Sequence, residues 1–240
     1  MVTPTRILLH HDLLEVSMRK VFAMGMALVA TGVVVTAAAK KELADRIQNS
    51  AIVLDEIHKA PDDIPRDLWQ KAACIGVLPS VKKGAFIFGG EYGKGIMSCR
   101  NGADWSAPSF VRLEKGSVGF QFGGESVDLV FFVMNEKGVK HMIGNKVSLG
   151  AEASVAAGPV GRDVRAMTDA QMKAEVLSYS RSAGVFAGIN LSGGSLRPDA
   201  DDNAALYGKR TSAKDILVDK NTSEPAEAAS FMAALRKAAP

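Results

Sequence analysis

The chain has 240 residues, of which 47% are hydrophobic, so it can bury one sizeable core and does not require two large domains. Its formal net charge is only +3, from 29 basic and 26 acidic residues. This near balance excludes a general attraction for nucleic acid, and any anionic partner must be bound by a local basic patch.

Residues 18–39 have the pattern of a secretory signal peptide. Two basic residues come first, an apolar run extends from Val21 to Val35, and the stretch ends in Ala-x-Ala. We expect cleavage before Lys40, although an uncleaved membrane anchor is the alternative, because the stretch approaches the roughly 20 residues that span a bilayer. Residues 1–17 carry acids where a leader is basic, so we interpret them as a start-site extension. The expected location is bacterial, exported, and periplasmic or envelope-associated.

Residues 40–60 are predicted to form an amphipathic helix, because apolar residues recur every three to four positions. These residues are Leu43, Ile47, Ala51, Leu54 and either Ile57 or His58. Arg46 is predicted to lie away from them, on the polar face. Two interpretations stay open. The helix packs on the protein core, or its apolar face enters a membrane while Lys40, Lys41 and Arg46 contact headgroups.

Residues 68–198 are predicted to form a β-rich core, because glycine-punctuated, β-branched and aromatic segments begin at Ile75. The Asn101-Gly102 pair is a strong hairpin signal, so "GIMSCR" and "SFVRL" should be antiparallel neighbours. Glycines inside strands indicate bulges or close backbone packing. The expected fold is α+β. A strongly curled, antiparallel, barrel-like sheet is flanked by the N-terminal helix and by helices in 199–240, within one domain of residues 40–240.

The hexapeptide Phe-x-Phe-Gly-Gly-Glu occurs twice, at Phe86–Glu91 and at Phe120–Glu125. We interpret the copies as two corners of one curled sheet, with aromatic packing inside and glycines at the bends. Their acids, Glu91 and Glu125, raise the alternative of a glycoside hydrolase, since such enzymes use two carboxylates. Because both acids directly follow Gly-Gly at expected strand ends, we interpret them as turn and rim residues.

Catalytic and metal-binding motifs are absent from the sequence. There is no Gly-x-Ser-x-Gly elbow and no phosphate-binding glycine loop, and "GKGIMS" lacks the third glycine of a dinucleotide fingerprint. Beyond the leader the histidines are His58 and His141, too few for a histidine-based metal centre. We therefore predict that the protein is not an enzyme and uses neither a cofactor nor a metal.

The two cysteines, Cys74 and Cys99, leave two interpretations open. They form one disulfide if the compartment is oxidising, or they are two buried free thiols that behave as small hydrophobic residues. Their spacing does not indicate a metal site.

Four basic residues are candidates for a cationic rim at one end of the sheet: Lys82, Lys83, Lys94 and Arg162. Lys94 is predicted to lie in a turn after the first glycine pair. Arg162 ends "GPVGR", where backbone N–H groups would form an anion-binding concavity. The alternative is that these are scattered, solvated charges.

Several segments in order resemble the SYLF domain family. The most specific are "WSAPSF", "GAEASVAAGPVGR" and "YSRSAGVFAG", and the resemblance extends from about Leu68 to Leu217. It implies a lipid-binding module, since eukaryotic members resemble adaptors that bind phosphoinositides and, in fungi, actin filaments, while bacterial members are exported or lipoprotein-like. By position, it points to the 40–60 helix and to Lys82 and Lys83 for lipid contact. The chain departs from the family by having no lipidation cysteine and no SH3 or FYVE partner domain.

These observations together predict an exported protein that binds anionic phospholipid or a membrane surface. The predicted contacts are Lys40, Lys41, Arg46, Lys82, Lys83, Lys94 and Arg162. The alternative from another class is a periplasmic structural or protein-interaction module without a lipid ligand. A carrier whose curled sheet encloses an acyl chain is a third hypothesis.

Overall fold

The computed structural model describes residues 39–57, 59, 64–84, 89–117, 125–159, 167–182, 185–219 and 221–240. The chain divides into two compact units, residues 1–42 and residues 43–240. In the first unit, residues 39–42 are described, and they are helical and exposed. The predicted extension and residues 18–38 of the predicted leader lie outside the described residues. Among the residues that are described, none of the helices combines the length and the apolar character needed to cross a membrane.

The second unit consists of short helices around one sheet. Helix α1 comprises residues 39–57, of which 43–57 belong to this unit. The other helices are α2 Arg66–Lys71, α3 Glu136–Met142, α4 Asp169–Lys173, α5 Ala200–Tyr207, α6 Ala213–Leu217 and α7 Ala229–Ala238. The strands are β1 Cys74–Gly84, β2 Gly89–Asn101, β3 Asp104–Trp105, β4 Ser109–Ser117, β5 Glu125–Val133, β6 Val147–Ser148, β7 Val155–Ala157, β8 Val176–Ser182, β9 Val185–Gly188 and β10 Gly194–Pro198.

The sheet has the strand order β6-β10-β4-β2-β1-β5-β8-β7, with β3 paired to β2 and β9 paired to β8. Strands β6 and β7 stand at opposite ends of this order, yet six residues, 149–154, join them. Such a link spans at most about 25 Å, whereas eight flat strands would separate the two edges by about 34 Å. The sheet therefore has to curl. The predicted α+β fold with a strongly curled sheet is confirmed. Among the described strand pairs, the prediction of antiparallel pairing fails for β7 and β8, which are parallel.

The glycines of β2 accommodate a bulge in β1. Val77 pairs with Ile96 and Lys82 pairs with Tyr92, so four residues of β1 face three of β2 between these pairs. The extra residue brings the two backbones close together. A Cβ atom on Gly95 would lie 2.0 Å from the carbonyl oxygen of Val77. The sequence prediction that internal glycines indicate bulges and close backbone packing is correct here.

Two predictions from local sequence are also confirmed. The Asn101-Gly102 signal lies in a hairpin in which Asn101 pairs with Asp104, and Gly102 has a φ of 65°. Strands β2 and β4 are antiparallel neighbours, as predicted.

Cys74 and Cys99 are directly opposite each other in β1 and β2, and they are joined in a disulfide with their Cα atoms 3.9 Å apart.

Hydrophobic side chains fill both faces of the sheet. Helices α1, α2 and α7 cover one face, where Trp69 and Phe231 meet strand residues such as Phe132. On α1, the predicted apolar residues Leu43, Ile47, Ala51, Leu54 and Ile57 are all buried in this layer. The interpretation that α1 packs on the core is therefore confirmed. Its apolar face is occupied by the protein's own core. The opposite face of the sheet is covered by α3, α6 and neighbouring loops.

The two hexapeptide copies lead into the two strands that flank β1. Residues 85–88 and 118–124, with all four phenylalanines, lie outside the described residues. The acids are described at register positions. Glu91 in β2 and Glu125 in β5 each pair with Lys83, one on either side of β1. In the strand register, a lysine position therefore lies between the positions of the two acids, and their interpretation as turn and rim residues stays a prediction.

Candidate functional site

Three basic residues stand in one row across neighbouring strands. Lys94 of β2 pairs with Arg112 of β4, and Arg112 pairs with Arg197 of β10. Directly opposite side chains have Cβ atoms about 5 Å apart, and like charges in such positions repel each other. A row of three cations therefore requires counter-charges, from the protein or from a ligand.

Lys82 and Tyr92 extend this row toward the end of the sheet. Lys82 pairs with Tyr92, and Tyr92 is two residues from Lys94, so all three belong to one face. Lys82 is exposed and Tyr92 is 44% exposed. We define the basic patch as Lys82, Tyr92, Lys94, Arg112 and Arg197.

Glu114 partly compensates the two arginines of the basic patch. Arg197 donates a hydrogen bond to Glu114 Oε1 at 2.6 Å, and the same oxygen lies 3.6 Å from Arg112 Nε. The Nε atoms of both arginines are buried, and neither donates a hydrogen bond to a residue within the described ranges. One carboxylate thus serves two guanidinium groups, so the negative charge of Glu114 compensates them only in part.

Lys94 of the basic patch and Arg46 of α1 converge on the acids of α5. Lys94 Nζ lies 2.9 Å from Asp202 Oδ2 and 3.1 Å from Asp199 Oδ2, and Arg46 lies 2.5 Å from Asp202 Oδ2. The Arg46 side chain is 8% exposed and packs over the Phe110 ring at 5.4 Å. The prediction that Arg46 lies on the polar face of its helix is therefore wrong. Lys94 lies within β2, and its predicted turn position is also wrong.

Local capping places the two acids of α5. Asp199 is the N-cap residue, and its side chain accepts a hydrogen bond from the backbone N–H of Asp202. One turn into the helix, buried Asn203 accepts a hydrogen bond from the backbone N–H of Phe110 at 2.7 Å. These contacts hold α5 against β4, so both carboxylates are directed at Lys94.

The Asp199 carboxylate makes stability depend on pH. Its side chain is 3% exposed, and burial alone would raise its pKa, but hydrogen bonds from Lys94 and from the Asp202 backbone hold the pKa below its ordinary value of 3.8. A depressed folded-state pKa stabilises the protein above the unfolded-state pKa, and this contribution is lost as the pH falls through the folded-state value. In urea titrations at several pH values, we expect the stability advantage of wild type over Asp199→Asn to be full at neutral pH and to shrink below about pH 4. A constant difference between pH 7 and pH 2 would contradict this assignment.

The structure brings together some of the predicted site residues. Lys82 and Lys94 share the basic patch, and Lys83 directly follows Lys82 in β1. Lys40 and Lys41 are exposed at the start of α1, in the first unit. Arg162 lies outside the described residues. Their predicted lipid contacts remain predictions.

Sequence reasoning missed Arg112 and Arg197. Both alternate with apolar neighbours, in "FVRLE" and "GSLRP", and this two-residue period places them on the face opposite Leu113 and Leu196. That pattern shows only that each arginine side chain faces away from the hydrophobic layer to which the neighbouring leucine belongs. Their proximity depends on the pairing of β4 with β10, which are far apart in the chain.

Within the ranges that the structure covers, no group of three or more His, Cys, Asp or Glu side chains is arranged to hold a metal ion. Three of the four basic side chains of the basic patch, Lys94, Arg112 and Arg197, instead lie within 4 Å of carboxylates. The basic groups outnumber these carboxylates, and an excess of positive charge attracts anions.

Comparison with known proteins identifies the family. Residues 114–238 match the family model described as Ysc84, Las17-binding protein actin regulator. The chain is 32% identical over 187 residues to LAS seventeen-binding protein 3 of Saccharomyces cerevisiae, covering 76% of this chain and 40% of the relative. It is 34% identical over 171 residues to the mouse SH3 domain-containing YSC84-like protein 1, covering 70% of this chain and 50% of the relative.

The chain therefore belongs to the Ysc84 family, which confirms the predicted SYLF relationship. It spans 40% to 50% of the length of the two relatives just named. These comparisons overturn the predicted bacterial, periplasmic or envelope location. The relatives come from yeast and mouse, with others from Schizosaccharomyces pombe and Xenopus laevis, and all of these organisms are eukaryotes.

Proposed function

We propose that this chain is a non-enzymatic binding module whose basic patch docks on an anionic phospholipid surface. The observation that carries the proposal is the cross-strand row of Lys94, Arg112 and Arg197, with Lys82 and Tyr92 on the same face. Bound phosphate groups would supply negative charge and reduce the repulsion among the three basic side chains. Binding would therefore stabilise the strand pairing that forms the row.

The local charge balance supports this function. Lys82, Lys94, Arg112 and Arg197, with Arg46 of α1, give five positive charges, against three from Glu114, Asp199 and Asp202. The exposed Tyr92 ring has an apolar body and a polar hydroxyl, a combination favoured at the membrane–water interface. The apolar face of α1 is buried, so the contact we propose is largely electrostatic and relies on the sheet surface.

Vesicle binding tests this proposal. We expect the protein to co-sediment with phosphatidylserine-containing vesicles, to bind pure phosphatidylcholine vesicles much more weakly, and to be released by salt. Each basic contact near a charged membrane is worth about 1 kcal/mol. The double variant Arg112→Gln/Arg197→Gln should therefore bind about 25-fold more weakly.

The matched control is Lys209→Gln/Arg210→Gln, which removes the same net charge at two exposed residues between α5 and α6. This variant should bind like wild type if the basic patch is the contact. Equal loss of binding in both double variants would mean that only net charge matters. Binding that ignores headgroup charge would refute the electrostatic contact altogether.

A protein partner is the second candidate, and the family description favours it, because it names Las17 binding and actin regulation. The same basic patch would suit an acidic protein surface. Co-sedimentation with purified actin filaments, and pull-down with purified yeast Las17, separates the candidates. Binding to either protein together with no binding to anionic vesicles would favour this second function.

A further inference from the structure

An open cavity of about 580 Å³ adjoins the basic patch at Glu114, which is one of the residues that line it. Glu114 of β4 pairs with Ser195 of β10, and Ser195 pairs with Ser148 of β6, so these three positions stand side by side near one edge of the sheet. Lys146 and Ser192 also line the cavity. Its volume lies within the range of about 300–1,000 Å³ that is usual for ligand sites.

Glu114 gives this end of the basic patch a negative group beside its positive ones. The Oε1 atom of Glu114 serves Arg197 and Arg112, whereas its Oε2 atom accepts no hydrogen bond from any residue that the structure describes. The side chain is 36% exposed, so a ligand in the cavity can reach it. A carboxylate in this position repels a phosphate group and attracts an ammonium group.

Lys146 supplies a positive group to the same cavity. It is exposed, and it forms no ion pair with a residue in the described ranges. The carboxylate of Glu152 interacts with the Lys146 charge only at a distance, because it accepts a hydrogen bond from the backbone N–H of Ser148 at 2.6 Å. The cavity therefore presents an acid, a base and serine hydroxyls next to the two arginines of the basic patch.

We propose that this cavity and the adjoining arginines bind the phosphoserine headgroup of phosphatidylserine. The phosphate contacts Arg112 and Arg197, whose side chains are partly exposed. The ammonium group pairs with Glu114, and the carboxylate pairs with Lys146. This inference rests on the proposed membrane function and adds to it a choice among anionic lipids, with Glu114 as the residue that determines the choice.

Phosphatidylglycerol is the matched comparison lipid, because it has the same net charge as phosphatidylserine but no ammonium group. In co-sedimentation with vesicles that contain equal fractions of either lipid, we expect wild type to prefer phosphatidylserine about fivefold, which is the value of one exposed ion pair of about 1 kcal/mol. In Glu114→Gln this preference should fall to about one, while binding to phosphatidylglycerol becomes tighter. Lys146→Gln should also lower the preference.

The matched control is Glu227→Gln, which removes one acid at an exposed position before α7 and should keep the fivefold preference. If charge alone governed binding, wild type would bind both lipids equally, and Glu114→Gln would tighten binding to both by the same factor. Equal, salt-sensitive binding of wild type to both lipids would thus overturn this inference and leave the proposed membrane contact standing. An undiminished preference in Glu114→Gln would overturn it as well.

Two further outcomes separate the levels of the proposal. No binding of wild type to either kind of vesicle would refute the membrane contact itself, and the headgroup preference with it. Calorimetric titration with free O-phosphoserine tests the source of the headgroup. Binding of the free compound by a chain that ignores phosphatidylserine vesicles would overturn the assignment to a lipid.

Discussion

Replacing Asp202 with asparagine is expected to lower the free energy of unfolding by about 3–5 kcal/mol. Asp202 is a counter-charge for Arg46 and one of two for Lys94, and it is 17% exposed. Removing one partner of a buried ion pair leaves the other charge desolvated and less well compensated. Arg46 is held among apolar residues of α1 and over the Phe110 ring, so it cannot easily reach water.

Urea denaturation of wild type and Asp202→Asn measures this effect. The matched control is Asp201→Asn, because Asp201 lies next to Asp202 in the first turn of α5 but is exposed. Both variants remove one acid from the same helix end, so they lose the same interaction with the helix dipole. A loss of less than about 1 kcal/mol in Asp202→Asn, or equal losses in both variants, would contradict the assigned role.

Replacing Gly95 with alanine is expected to destabilise the protein by about 3 kcal/mol, at the upper end of the usual range for overpacking. The new Cβ would lie 2.0 Å from the carbonyl oxygen of Val77 and 2.7 Å from Leu78 Cα. Backbone atoms in the centre of a sheet cannot rotate away as a side chain can. Relief requires that β1 and β2 separate, which breaks their pairing beside the bulge.

The control for this prediction is Gly116→Ala in β4, where an added Cβ would meet no atom within 4 Å. It should change stability by no more than about 0.5 kcal/mol. Thermal unfolding followed by circular dichroism compares the two variants directly. If both alanine variants melted at the wild-type temperature, the bulge would not be the reason for a glycine at position 95.

Local signals in the sequence predicted much of the fold. The apolar spacing from Leu43 to Ile57 identified both α1 and its buried face, and Asn101-Gly102 identified the hairpin after β2. Such signals succeed because helix periodicity and turn conformation depend on residues close together in the chain.

The ion pairs and the basic patch could not be predicted in this way. Arg46 looked exposed because it falls on one helix face with the polar Asp45, Gln48 and Asn49, but its partner Asp202 lies 156 residues further along the chain. The row of Lys94, Arg112 and Arg197 exists only because three strands pair in one particular register. The spacing of residues within the sequence does not show which strands pair or in which register they pair.

The short segment that joins β6 to β7 affects how the molecule behaves in a crowded solution. An open sheet exposes unpaired N–H and C=O groups along both edges, and these groups can recruit strands from other chains and begin aggregation. Here the outermost strands are short: β6 has two residues at one edge, and β7 with three residues and β9 with four form the other, while six residues link β6 to β7. Each edge therefore offers very little backbone to an incoming strand, and the curl protects the protein against intermolecular β-sheet growth.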